Sequence, residues 1–570
     1  MISRLFKDII VRLAIFTAPF LLLATVFSPA QAENRFMISA ANPHAAQAGH
    51  DILARGGSAV DAAIATQMVL TLVEPQSSGI GGGAFMLHFD GGSKTLTTFD
   101  GRETAPAQVD ESYFLKDDGT PYKFYEAVVG GRAVGVPGVL AMLEQAHQKY
   151  GKRPWAELFE AAIALSEQGF AVSPRLFYLL DTDKHLRTKA VAAAYFYDAD
   201  GSPHPVGHML KNPALAASFR AIAKDGAKAF YTGAIARDIV AAAQSDPDNP
   251  GLISLPDLAA YRAKERPPVC IEYRITSVCG MGPPTSGGIT SLQILKILEK
   301  WDLSAAKPGS LDAVSLISKA SALAFADRGK YLADSDFVPV PTEGLLNGGY
   351  LAARAALIED TAASLPYKAG QPAGRDGALS DDNALELPST SHFSIVDGDG
   401  NAVSMTTSVE NVFGSRLMAG GFILNNQLTD FSFRPHGEDG PVANRIEPGK
   451  RPRSSMSPTM AFNGDGSLRL VVGSPGGSRI IGYVTKTVIG VLDWGLTVQA
   501  AINLPHHINR NGTLDLEAGT PIEALQPALE KQGFKVTART LNSGLHAIEV
   551  TGDGLRGGAD PRREGIVLGN

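Results

Sequence analysis

Thr390-Ser391-His392 is where residue types and context point to covalent chemistry. A stretch rich in Ala, Gly, Asp and Pro, with Asp376, Asp381 and Asp382, runs from about 362 to 386 and reads as an exposed, mobile linker. It leads into Pro388-Ser389, and Thr390 then opens a strand pattern. A cut between Ser389 and Thr390 would set the Thr hydroxyl beside its own α-amine, which can act as its base. Taken alone, a threonine after a loop is most often an ordinary strand-edge residue, so the neighbouring segments must decide. Other familiar arrangements are missing: the sequence has no G-x-S-x-G elbow, no H-E-x-x-H and no G-x-x-x-x-G-K-[ST]. Gly79-Ile80-Gly81-Gly82-Gly83-Ala84 loosely matches a dinucleotide fingerprint but follows a helical pattern and precedes a strand. That order is the reverse of what a pyrophosphate at a helix N-terminus requires, so a close backbone turn is the better reading. His506-His507 lacks further ligands at metal spacing and reads as structural.

The segments around Thr390 carry a resemblance. Thr390–Val403, Leu424–Phe431, Lys450–Thr459 and Gly473–Arg479 resemble blocks of the γ-glutamyltransferase (glutathione hydrolase) family. Glu74–Met86, Phe99–Pro106, Pro283–Gly288 and Gly558–Arg562 are similar to further blocks, in order along the chain. The resemblance implies an α+β fold, the αββα sandwich of N-terminal-nucleophile hydrolases. It implies a proenzyme that cuts itself between Ser389 and Thr390 into a large subunit, 33–389, and a small catalytic subunit, 390–570, which stay together. It implies a γ-glutamyl–Thr390 ester drawn from glutathione or other γ-glutamyl amides, with transfer to water or to an acceptor amine or peptide. No metal and no organic cofactor is needed for that chemistry. The within-class alternative is an acylase acting on glutaryl cephalosporins with the same nucleophile. The alternative of another class, a binding protein on this scaffold, would be expected to have lost Thr390 or the glycine pair.

Further roles follow from the same resemblance. Ser408 matches a family Thr whose hydroxyl bonds the nucleophile, keeping donor and acceptor but dropping a methyl. Gly476 and Gly477 match the oxyanion hole, where paired backbone N–H groups are worth roughly 3 kcal/mol each. Arg102 matches the residue that grips the substrate α-carboxylate, a task suited to a planar guanidinium fork. Ser454 and Ser455 match serines that bond the same carboxylate, Asp430 the acid that binds the α-ammonium, and Gln427 a second amine contact. Two departures bear on specificity. Glu410 stands where the best-known members carry Asn, and the stretch from Asp430 to Ser454 is shorter than in members with a full lid, leaving a pocket more open to bulky leaving groups.

These residues need a large scaffold, and the composition provides one. With 570 residues, 44% hydrophobic, the chain can bury a sizeable core and is not disordered, and the length suggests roughly three domains or one large layered one. A net charge of −7 leaves no basic footprint for nucleic acid. Arg4, Lys7 and Arg12 precede the apolar run Leu13–Phe27, and Ala30-Gln31-Ala32 supplies a small-residue cleavage site. Residues 1–32 therefore read as a signal peptide, with export to the periplasm in a Gram-negative cell and no stable membrane anchor. Cys270 and Cys279, the only two cysteines, flank a tight turn near Arg274, and a cross-strand disulfide is geometrically possible there.

Apolar spacing predicts helices over 44–73 with a break at Gly56-Gly57 and Ser58 as a cap, and over 158–168, 212–223, 233–243, 289–298, 311–331 and 483–493. Short strands are expected at 36–40, 84–89, 393–396, 402–409, 422–425, 459–462 and 468–474. Such blocks suggest stacked α and β layers.

Overall fold

The structure is a computed structural model that describes residues 36–570 apart from 361–363, 383, 385 and 388. The expected signal peptide lies outside the described residues. The layers begin with strand β1 (Met37–Ala40), helix α1 (Pro43–Ala54) and helix α2 (Ala59–Val73). Asn42 caps α1, and Ser58 caps α2 in a reciprocal box with Asp61 (Asp61 N–H to Ser58 Oγ 3.1 Å, Ser58 N–H to Asp61 Oδ2 2.8 Å). Every residue of α2 is buried, as an almost wholly apolar helix requires.

The remaining layer elements follow in order. They are β2 (Gly83–Asp90), β3 (Thr95–Gly101), β4 (Lys264–Arg266), β5 (Val269–Tyr273), β6 (Thr276–Gly280), α3 (Gly287–Leu298) and α4 (Leu311–Tyr331). Then come β7 (Ser391–Val396), β8 (Ala402–Ser408), β9 (Thr459–Phe462), β10 (Leu468–Gly473), α5 (Ile480–Leu492), β11 (His546–Thr551), β12 (Gly554–Ala559) and β13 (Ile566–Gly569). One sheet runs β13-β1-β7-β8-β2-β3-β4, the other β12-β11-β10-β9-β6-β5, with antiparallel neighbours throughout. The sheets pack face to face. Helices α1 and α2 cover the first, and α3 and α5 the second, so the order is α, β, β, α. A largely helical lobe spanning 139–260 packs on the α1–α2 side.

Alternation along the strands builds both cores. In β2, Ala84 and Met86 join the core under α1 and α2, while Phe85, Leu87 and Phe89 join the core between the sheets. Serines also face inward. Ser39, Ser394 and Ser404 donate across the sandwich to the backbone carbonyls of Gly558, His546 and Val472 at 2.7, 3.0 and 3.1 Å. Cys270 and Cys279 pair across the β5–β6 hairpin, whose turn residue Arg274 has φ +56°, and form a disulfide.

The linker reading needs correction. Asp376 and Asp381 are exposed as expected, but Asp382 forms an ion pair with Arg453 and Glu386 is buried against Arg328. The charges that made this stretch look solvated are, at its C-terminal end, neutralised by arginines of the body.

Candidate active site

Register places the central pair. β7 pairs with β8 so that Ser391 opposes Thr407, which sets Thr390 beside Ser408 at the strand ends. Their hydroxyl oxygens lie 3.0 Å apart, and Ser408 Oγ accepts the Glu410 N–H at 2.9 Å. Gly82 lets the preceding loop close on this point, since a Cβ there would come within 2.1 Å of the Ser408 carbonyl oxygen. The sequence reading of that glycine run as a close backbone approach therefore holds.

Thr390 has φ +90°, a region that favours glycine and strains a β-branched residue. The peptide before it is fixed at several atoms. The Ser389 carbonyl oxygen accepts the Gly476 N–H at 3.2 Å, and Ser389 Oγ donates to the Gln76 carbonyl at 2.8 Å. Arg563, which the sequence reading did not single out, donates to the Thr390 carbonyl at 2.9 Å. A hydroxyl, its hydroxyl partner and a carbonyl already held by a backbone N–H are together suited to an N-to-O acyl shift.

One cavity gathers nearly all the predicted residues. Arg102, Thr390, Ser408, Glu410, Gln427, Asp430, Ser454, Ser455 and Gly477 line it, and Gly476 adjoins it through the Ser389 carbonyl. Glu386 and Leu387, just upstream of Thr390, also line it. A Cβ on Gly477 would lie 2.7 Å from the Leu387 carbonyl oxygen, so glycine is needed where the upstream segment crosses.

Arg102 is buried, with Nε and Nη2 hydrogen-bonded. Nη2 donates to Asp430 and to the Arg453 carbonyl (3.1 Å), Nε donates to the Pro452 carbonyl (3.1 Å), and Glu103 lies 3.6 Å from Nη1. Burial pushes the Glu103 carboxyl up to about 8. Ser455 donates to Glu386 and accepts from Arg328 Nη2 at 2.7 Å, while Ser454 Oγ accepts the Met456 N–H at 3.1 Å. Gln427 Oε1 is buried and has no hydrogen-bond partner among the described residues.

Glu410 and Asp430 bring two buried carboxyls to this cavity. Burial raises the Glu410 carboxyl well above its ordinary value, and the Asp430 charge raises it further, although Asn426 donates to it. Burial also raises Asp430, against the opposing pull of Arg102. Two buried carboxyls that repel one another, of which Asp430 has Arg102 as its ion-pair partner, favour holding a proton or receiving a further cation. The short segment after Asp430 forms the hairpin His436–Pro441, and Val442 pairs with Ser380 of the upstream stretch.

His506 is buried, with its ring hydrogen-bonded to Ser543 at 2.7 Å. Among the described residues no group of His, Cys, Asp and Glu could hold a metal ion. No helix among them is long and apolar enough to cross a membrane.

Two facing antiparallel sheets between helices, with a threonine and its hydroxyl partner at the strand ends, define the N-terminal-nucleophile hydrolase class. Comparison narrows the class. The profile of the family "Gamma-glutamyltranspeptidase" matches residues 45–570. The chain is 39% identical over 553 residues to a glutathione hydrolase proenzyme of Escherichia coli K12, covering 94% of this chain and 92% of that one. It is 36% identical over 545 residues to a glutathione hydrolase proenzyme of Bacillus subtilis 168, covering 94% and 91%. The crystal structure of a cephalosporin acylase from Bacillus halodurans superposes with a TM-score of 0.82 at 28% identity, covering 94% and 95%. The chain belongs to the γ-glutamyltranspeptidase family, an enzyme family with acylase relatives.

Proposed function

We propose that the chain is an exported γ-glutamyltransferase and glutathione hydrolase that cuts itself between Ser389 and Thr390. Residues 1–32 would be removed on export, leaving a large subunit, 33–389, and a small one, 390–570. The observation that carries this reading is the meeting of Thr390 Oγ1, Ser408 Oγ and a Ser389 carbonyl held by the Gly476 N–H. In maturation Thr390 Oγ1 attacks the Ser389 carbonyl carbon, the C–N bond breaks, and the hydroxyl proton ends on the Thr390 nitrogen. Water then hydrolyses the ester, releasing the Ser389 carboxylate and a free Thr390 amine.

In turnover that amine takes the hydroxyl proton while Oγ1 attacks the donor γ-carbonyl. The Gly476 and Gly477 N–H groups receive the oxyanion, each contributing roughly 3 kcal/mol. The donor C–N bond breaks and the leaving amine takes the proton. Water or an acceptor amine then attacks the γ-glutamyl–Thr390 ester. Arg102, Ser454 and Ser455 hold the donor α-carboxylate, and Asp430, Glu410 and Gln427 its ammonium. No cofactor enters any step.

Similarity to a cephalosporin acylase supports the rival reading, in which the donor is a glutaryl amide. Glutaryl and γ-glutamyl groups differ only in the α-ammonium. Two buried carboxyls facing that position disfavour a chain that brings no cation. The test is the ratio of kcat/KM for γ-glutamyl and glutaryl anilides. A strong γ-glutamyl preference that weakens in Asp430→Asn supports the proposal, and a wild type that prefers the glutaryl donor hands the assignment to the acylase.

A further inference from the structure

Glu386 lies four residues before Thr390, yet it lines the cavity and its carboxylate reaches the lining residue Ser455. It is bonded by Arg328 Nη2 and Ser455 Oγ, with Arg453 Nη2 3.5 Å away. Arg328 also donates from Nε to Ser286 Oγ at 2.8 Å. Both arginines are buried, with side-chain exposures of 7% and 2%. Among the described residues, the acids paired with them are Glu386 and Asp382, and both belong to the upstream stretch. A carboxylate of the chain itself therefore sits on Ser455, one of the residues proposed above to receive the donor carboxylate.

We propose that Glu386 is an internal stand-in for the donor: in the uncut chain its carboxylate fills the donor-carboxylate subsite, and Arg328 is a further residue of that subsite. Two consequences follow, and both rest on the proposed γ-glutamyl chemistry. Before the cut, the Arg328–Glu386–Ser455 contact anchors the upstream segment so that the Ser389 carbonyl reaches the Gly476 N–H. Glu386 is thus a positioning residue for maturation. After the cut, displacement of the segment would leave Arg328 buried without its anion, a costly state that an incoming carboxylate relieves. The guanidinium that held the linker then reads the donor. A tethered carboxylate also competes with free donor at high effective concentration, which keeps the uncut protein from binding substrate.

The test has two arms. In the first, maturation of Glu386→Gln and Glu386→Ala is followed on denaturing gels against wild type, with circular dichroism reporting the fold. Slower conversion of folded protein is expected, and wild-type rates in both variants would overturn the anchoring role. In the second arm, mature wild type, Arg328→Gln and Arg328→Lys are assayed with a γ-glutamyl anilide and a γ-aminobutyryl anilide, which lacks the α-carboxylate. For Arg328→Gln, kcat/KM for the γ-glutamyl donor should fall about 10- to 100-fold, through KM, with the γ-aminobutyryl rate unchanged. Arg328→Lys, which keeps the charge, should recover part of the loss and supplies the readout if Arg328→Gln does not mature. Equal losses on both donors, or none, would overturn the subsite role. A wild type that fails to distinguish the two donors would instead remove the γ-glutamyl reading on which the inference rests.

Discussion

In the proposed cut, Thr390 holds both the bond to be broken and the hydroxyl that would break it. Its φ of +90° costs a β-branched residue about 1–3 kcal/mol, and that dihedral ceases to exist once the Ser389 carbonyl carbon has left. Strain at this bond therefore favours the cut product. Thr390→Ala lacks the attacking hydroxyl, so it is expected to remain one chain on a denaturing gel while wild type gives two bands. Arg102→Ala removes the guanidinium that meets Asp430 and the Pro452 and Arg453 carbonyls. Its kcat/KM for a γ-glutamyl donor should fall about 10- to 150-fold. Thermal unfolding should also move down, because Asp430 is left buried without its cation. The Glu410–Asp430 pair gives donor binding a pH dependence. Both carboxyls are raised in the free site, and an ammonium favours their charged forms, so binding releases a proton. Donor affinity is therefore expected to strengthen as pH rises through the range where the free pair still holds its proton, then level off. Glu410→Gln should flatten that slope in KM measured against pH.

The residues gathered in the cavity were legible because they sit in short motifs of fixed order, whereas Arg328, Arg453, Glu386 and Arg563 were not. Arg328 lies near the end of α4 among Ala and Phe, and only tertiary packing tells which partner it meets. Glu386 looked like one more charge in a solvated linker, and its burial depends on arginines remote in sequence.

Elements with strong period or explicit caps were read almost to the residue. The 311–331 helix and the 459–462 strand match the expected bounds, and the break at Gly56-Gly57 separates α1 from α2 as expected. Strands β3, β4, β12 and β13 escaped the reading because they are polar, glycine-rich or short, and pairing with neighbours defines them. Inward serines mislead a period-two reading in the same way: Ser394 and Ser404 look like surface positions but bond across the sandwich. Ser58 tests an element directly, since its box with Asp61 starts the helix beneath the first sheet. Ser58→Ala should lower unfolding free energy by about 0.5–2 kcal/mol in a denaturant titration, with activity per folded molecule unchanged.

Across the whole molecule, the segments before and after the proposed cut are interleaved in both sheets. In the first sheet β1 and β2 flank β7 and β8, so two strands from after Thr390 are held between strands from before it. In the second, β5 and β6 from before the cut extend β9 and β10 from after it. Separating the two pieces would tear both sheets and both cores. Mature protein should therefore elute as one species in native size-exclusion chromatography while denaturing to two.

The proposed mechanism turns on a γ-glutamyl ester of Thr390, and intact-mass analysis of an acid-quenched reaction reaches it most directly. Mature protein is mixed with a γ-glutamyl anilide, quenched during turnover, denatured and weighed. The expected product is a small subunit that begins at Thr390 and carries one γ-glutamyl group, with fragmentation placing that group on Thr390. A chain left uncut at Ser389–Thr390, or an acyl group found on another residue while Thr390 stays free, would contradict it.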